Sequence, residues 1–206
     1  TARLWLLAGL PLLGLAVVFV TDALQIKAAM MKGREIQVRQ VVEAATGVLD
    51  HLAAEVAQGH LSVDSAKAQA VTTIQARRYD GGEYLWINDL GKPVPRMIMH
   101  PTVPALNGKR LDDPKFGCAT SMRFGTSDEV IPLADENLFA AFATVVDRAG
   151  HGYVTYAWPK PTATGASKEL YSKISYVKGF APWGWVVGSG LYTDDVEAAY
   201  RVELYQ

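Results

Sequence analysis

The chain has 206 residues, the size of one domain or one domain with an appendage, and half of it is apolar, which is ample for a packed core. A formal net charge of −1 gives no sign of the basic surface that nucleic-acid binding requires. Cys118 is the single cysteine, so no internal disulfide can form, and the four histidines (His51, His60, His100, His151) lack metal-ligand spacing. No metal, cofactor or nucleic-acid partner is expected.

Leu4 to Val20 is an apolar run without charge, 17 residues long, at the short end of what spans a bilayer. Arg3 precedes it and Trp5 lies at its edge, an interfacial pattern with positive charge on the cytoplasmic side. A signal peptide is the competing reading, but Val20-Thr21-Asp22-Ala23 is a poor cleavage site and helical patterning continues through it. Residues 1–21 are therefore read as a membrane helix. From Thr21 to Gln58 there is no proline. Val38, Val41, Val42, Ala45, Val48, Leu49, Leu52 and Val56 form one helical stripe, with Glu35, Arg39, Glu43, Asp50 and Glu55 largely outside it. The two segments predict one rod of about 50 residues, about 75 Å long at 1.5 Å per residue.

Gly59-His60 ends that helix. Ser62 caps a second, with Asp64 in its first turn and Ala66, Ala70, Val71 and Ile74 on its apolar face; Gly81-Gly82 is expected to stop it. Glu83–Asn88 reads as a strand, Asp89-Leu90-Gly91 as a turn, and Arg96–His100 as a second strand. A long loop is expected from Pro101 to about Pro132. Glu136–Ala149 reads as a helix with Leu138, Phe139, Phe142, Val145 and Val146 on one side. Tyr153–Trp158 is a third strand, followed by a loop to Ser167. Leu170–Val177 and Trp185–Tyr192 are the fourth and fifth, joined through Pro182-Trp183-Gly184. Thr193-Asp194 caps a closing helix over Asp195–Gln206. Strands with helices set to one side predict an α+β domain on an antiparallel sheet. The organisation read is 1–21 membrane helix, 22–60 long helix, 61–192 binding domain, and 193–206 a helix leading towards a second membrane span.

Catalytic signatures are missing. Gly188-Ser189-Gly190 lacks the spacing of a nucleophile elbow, and there is no phosphate loop and no HExxH. Asp112-Asp113 and Asp194-Asp195 are turn and cap residues. The strands, by contrast, are polar and aromatic. Alternation puts Tyr84, Trp86 and Asn88 on one face, Val154, Tyr156 and Trp158 on one face, Tyr153 with Thr155 on the opposite face, and Lys173 with Ser175 opposite Ile174 and Tyr176. Singly, such tyrosines and tryptophans are core residues with satisfied polar ends, and cations are solvated surface. As a set they describe an aromatic pocket with a few placed polar groups. Arg77, Arg78, His100 and Lys173 are the cations that suit a carboxylate.

Several segments resemble the single Cache domain (type 2) of bacterial chemoreceptors. They are Arg78-Tyr79, Glu83-Tyr84-Leu85-Trp86-Ile87-Asn88-Asp89, Met99-His100-Pro101, Leu106-Asn107-Gly108-Lys109, the stretch from Gly152 to Pro161, Lys173 to Lys178, and Pro182 to Tyr192. They run in the family's order over roughly residues 35 to 200. The resemblance implies a PAS-like antiparallel sheet with a long N-terminal helix packed along it. It also implies an inner-membrane protein with its sensing domain in the periplasm, and ligands such as acetate, propionate, pyruvate or lactate. Carried over position by position, it implies a pocket drawn from Arg78, Tyr84, Trp86, His100, Tyr153, Tyr156, Lys173 and Tyr176. Arg78 or Lys173 would be the charge partner, and Tyr84 and Trp86 the wall at the ligand's apolar end. Phe116–Leu133 departs from the family by its length and is expected to lie over the pocket as a lid.

The function expected is an extracytoplasmic sensor domain, not an enzyme, binding a small organic acid and pairing as a homodimer through the long helix. The same domain on a histidine kinase, or a ligand-free dimerisation module, are the alternatives.

Overall fold

The computed structural model describes residues 2–80, 82–162 and 165–204. Helix α1 runs unbroken over Ala2–Ala57, 56 residues and about 84 Å at the α-helical rise, so the boundary read at residues 21 and 22 falls inside one helix. Among the described residues it is the one helix long and apolar enough to cross a membrane. Leu13, Leu15, Phe19, Val20 and Leu24 all stand exposed, unlike the side chains of a core helix. Further along, Val38, Val42, Ala45, Leu49 and Leu52 are buried at alternating spacings of four and three. Helix α2 (Val63–Gln75) begins as expected, with the Ser62 hydroxyl accepting from the Ser65 amide. It stops six residues earlier than read, and Gly81 lies outside the described residues. The chain turns instead into β1 (Arg78–Tyr79), which pairs with β2 (Glu83–Asp89).

Strand β3 (Met97–Met99) pairs with β2 near its end, on the edge away from β8. Short 3₁₀ turns at Pro104–Leu106 and Pro114–Phe116 lead into β4 (Gly117–Phe124) and β5 (Ile131–Asn137). Helix α3 (Leu138–Ala149) is capped by Asn137, whose Oδ1 accepts from the Phe139 and Ala140 amides, and is closed by left-handed Gly150. Strands β6 (His151–Thr162), β7 (Gly165–Phe180) and β8 (Trp185–Tyr192) follow, then helix α4 (Thr193–Leu204). The last two residues of the expected closing helix lie outside the described residues.

The strands form one antiparallel sheet in the order β1-β2-β8-β7-β6-β4-β5, with β3 attached to β2. Helices α1 and α2 cover one face, burying Leu85, Ile87, Tyr176, Val187 and Leu191. Helix α3 and the 3₁₀ segment at Phe116 cover the other, around Trp86, Val154, Tyr156 and Val177. The sequence predicts five strands where the described residues form eight. Phe116–Leu133 is not a lid: it supplies β4 and the start of β5, and β4 pairs with β6. The expected loop after Trp158 is also strand, because β6 and β7 continue pairing as far as Thr162 and Gly165.

Helix α4 packs back along α1. Lys27 pairs with Glu197 at 3.6 Å, and the Tyr200 hydroxyl donates to the Ala23 carbonyl at 2.9 Å. Residues later in α4 meet residues earlier in α1, so α4 heads towards the apolar end of the long helix.

Candidate ligand-binding site

The α3 face of the sheet holds an aromatic enclosure. Alternation aims Tyr84 and Trp86 from β2 and Tyr156 and Trp158 from β6 at one another. His100, just after β3, and Leu138, Phe139 and Phe142 of α3 close the space. Their rings pack tilted and edge-on: Tyr84 to His100 at 5.1 Å, His100 to Trp158 at 5.8 Å, Phe142 to Tyr156 at 5.7 Å. The void they leave is about 10 Å³, the room of about one water. A two- to four-carbon acid therefore requires these walls to move apart.

Lys173 supplies the charge. Its side chain is fully buried, and its Nζ lies 4.4 Å from the centre of the Tyr84 ring and 4.2 Å from that of Tyr192, close enough for cation–π attraction. Two glycines on β8 make the space. A Cβ on Gly190 would run into Ser175 Oγ and Lys173 Cε, and one on Gly188 into the Trp86 indole. Ser175, beside Lys173 on the same face, shares a 2.8 Å hydrogen bond with the Tyr156 hydroxyl, and burial pushes that phenol well above its usual range. The Tyr192 hydroxyl donates to the Pro159 carbonyl at 2.6 Å.

His100 is a neutral donor. Its Nδ1 accepts from the Val103 amide at 3.1 Å, so its proton sits on Nε2. Burial, then the charges of Lys173 and Arg78, push its pKa from 6.5 down to about 3. The imidazole is thus uncharged in the folded chain, whereas the unfolded chain takes up a proton below pH 6.5. The stability this contributes is complete above pH 6.5 and is lost as pH falls from there towards 3. Urea unfolding midpoints should accordingly decline over that window and decline less steeply in His100→Gln; equal slopes for the two would remove His100 as the cause.

Of the residues expected in the pocket, Tyr84, Trp86, His100, Tyr156 and Lys173 come together. Tyr153 and Tyr176 are on the opposite face, under α1. The Tyr153 hydroxyl donates to the Glu35 carbonyl at 3.4 Å and that of Tyr176 to Glu43 at 3.4 Å. Arg78 faces Tyr84 in the β1–β2 register, but it is exposed and donates to the Gln75 and Arg77 carbonyls. It stands beside the enclosure rather than in its wall. The sequence reading left out Tyr192, Phe139, Phe142 and Glu83. Tyr192 was reachable, since it follows Gly188 and Gly190 at period two on the same face of β8; the two phenylalanines read only as a helix's apolar stripe.

A long helix laid across one face of an antiparallel sheet, with an enclosed aromatic and cationic space on the other, defines a PAS-like binding domain. The chain belongs to the Cache domain family, whose model matches residues 25–206. It is 37% identical over 205 residues to the methyl-accepting chemotaxis protein McpP of Pseudomonas putida KT2440, covering 98% of this chain and 33% of that protein. A sensor histidine kinase of Rhizobium johnstonii, MctS, is 40% identical over 67 residues, 32% of this chain and 13% of the kinase. The chain thus spans at most a third of the length of these relatives. Among solved structures, a periplasmic sensor domain of a chemotaxis protein is similar with TM-score 0.63 and 42% identity, over 79% of this chain and 97% of that one. A Cache chemosensory domain described in terms of carboxylic acid recognition is similar with TM-score 0.62 and 34% identity, over 80% and 97%.

Proposed function

We propose that this chain is the extracytoplasmic sensing region of a bacterial chemoreceptor and that it binds a short monocarboxylate such as acetate, propionate, pyruvate or lactate. The observation that carries the reading is Lys173: a fully buried ammonium set among tyrosine rings and next to a neutral imidazole. Glu83 offsets its charge from one side, at 3.3 Å, and a buried ammonium that also faces an aromatic enclosure suits a small anion with an apolar end. Lys173 would take the carboxylate, Tyr84, Tyr156 and His100 would complete its hydrogen bonds, and Trp86, Phe142 and Trp158 would hold the alkyl end. The similar structure described in terms of carboxylic acid recognition supports this class of ligand, and the chemotaxis-protein relative supports the receptor reading. The exposed apolar stretch of α1 supports a membrane anchor, and the return of α4 along α1 supports a second connection to the same membrane face. Opening of the enclosure would move Tyr192, which directly precedes α4, and so shift that helix relative to α1. A ligand can drive such a shift only through its different affinity for the two positions.

Thermal melting of the whole chain in detergent with each of the four acids tests this. At a hundred-fold excess over the dissociation constant, binding stabilises by about 2.7 kcal/mol, which raises the melting temperature by about 5–10 °C for a domain of this size. No shift with any of the four would end the carboxylate reading.

A further inference from the structure

Lys173 already has a carboxylate beside it. Glu83 Oε2 lies 3.3 Å from its Nζ, at the start of β2. Glu83 also lines a second crevice, of about 130 Å³, with Arg34 of α1, Asp80, Tyr192, and Asp195 and Val196 of α4. It therefore stands between the aromatic enclosure and the place where the sheet meets the two helices that run towards the apolar end.

Resting on the carboxylate reading above, we propose that Glu83 is the resident counter-ion of Lys173, that a bound acid displaces it, and that Glu83 takes up one proton as this happens. The balance is simple: the ligand enters as a carboxylate, one proton comes from solvent through the crevice, and Glu83 becomes a neutral carboxylic acid. The reason is charge crowding. One buried ammonium can offset one carboxylate; two carboxylates sharing it in a desolvated site repel, and one gains a proton. The surroundings select Glu83. Its pKa is already raised, chiefly by burial, against the lowering effect of Lys173, and Asp195 and Asp80 push it further up. Arg34, the cation lining the crevice, is engaged by Asp80, and Asp195 is held by Lys160 at 2.6 Å. Tyr79, whose own phenol is raised by burial, shares its hydrogen bond with Ser189, and Tyr192 and Tyr84 present rings to the ammonium. His100 is held neutral by burial. Neutralising Glu83 removes a negative charge facing Asp195 in the first turn of α4, which links occupancy of the site to that helix.

The test titrates the whole chain in detergent with acetate and with propionate by calorimetry, in two buffers of different protonation enthalpy. The expected result is uptake of nearly one proton per acid bound. The association constant should fall about ten-fold per pH unit wherever Glu83 is ionised in the free chain and protonated in the complex. Glu83→Gln should bind both acids more tightly than wild type at pH 8, with no proton uptake and a flat pH profile. Wild-type binding with no proton uptake would overturn the proposal, and that measurement needs no variant. A Glu83→Gln chain that keeps the wild-type slope would also overturn it, since the proton would then be going to His100 or the acid itself. If wild type binds neither acid, the carboxylate reading has failed and this proposal falls with it; if wild type binds and only the proton is missing, the carboxylate reading stands.

Discussion

Lys173→Met should abolish most of the affinity for short acids while leaving the fold in place. Removing one partner of a buried charge pair costs about 2–5 kcal/mol of binding, so the dissociation constant should rise by roughly 30-fold to several thousand-fold. Methionine keeps the apolar stem beneath Tyr84 and Tyr192, and its volume suits the space opened by Gly190. Loss of the ammonium strands Glu83, but that carboxyl, already raised by burial, relieves the strain by taking a proton. Arg78→Met is the matched control: its guanidinium is exposed and tied to backbone carbonyls, so it should change affinity no more than a few-fold. Calorimetric titration with acetate and propionate decides the matter. A Lys173→Met chain that binds within three-fold of wild type would rule this lysine out as the charge partner.

Arg123→Ala should produce the largest loss of stability. Arg123 Nη2 lies 2.5 Å from Glu35 Oε1, and the two side chains are only 13% and 8% exposed. The guanidinium also rests 4.5 Å over the Tyr153 ring. This pair ties β4, in the outer part of the sheet, to α1. Truncating the arginine leaves the Glu35 carboxylate buried without that partner, a change that costs about 3–5 kcal/mol. For a domain of this size the melting temperature should fall by about 6–20 °C. The double variant Glu35→Gln with Arg123→Met should recover much of the loss, because no buried charge is then stranded. A drop below about 2 °C in the single variant would show that the pair does not hold α1 to the sheet.

Glu35 shows how far patterning alone reaches. It falls outside the apolar stripe of α1, yet it is only 6% exposed, because the sheet offers it Arg123. Its partner lies 88 residues away, beyond anything that local periodicity reports. Strands β4 and β5 were hidden for a different reason. The pairing of β4 slips between Gly117 and Ala119 and again between Ala119 and Ser121, so its buried residues Ala119 and Met122 stand three apart. Bulges of this kind erase the period of two on which a strand is recognised. Strand β5 is a half-exposed edge carrying Pro132, Asp135 and Glu136, and an edge strand with proline and charge reads as a loop.

Local patterning specifies more of the binding face than of its cover. Period-two alternation is a property of the extended chain, and it placed Tyr84 with Trp86, Tyr156 with Trp158, and Lys173 with Ser175 before any tertiary contact was known. The long N-terminal helix, its apolar start and the capped ends at Ser62 and Gly150 are likewise local, set by a few residues each. Alternation cannot say which face of each strand meets the same layer. That was decided by the order β2-β8-β7-β6, which collects Tyr84, Tyr156 and Lys173 beneath α3 and sends Tyr153 and Tyr176 to α1. The choice between the two candidate cations was also tertiary. Lys173 lies on an inner strand, where glycines on β8 let its side chain extend without reaching water. Arg78 lies on a two-residue strand at the sheet's edge, where a guanidinium is better solvated than buried.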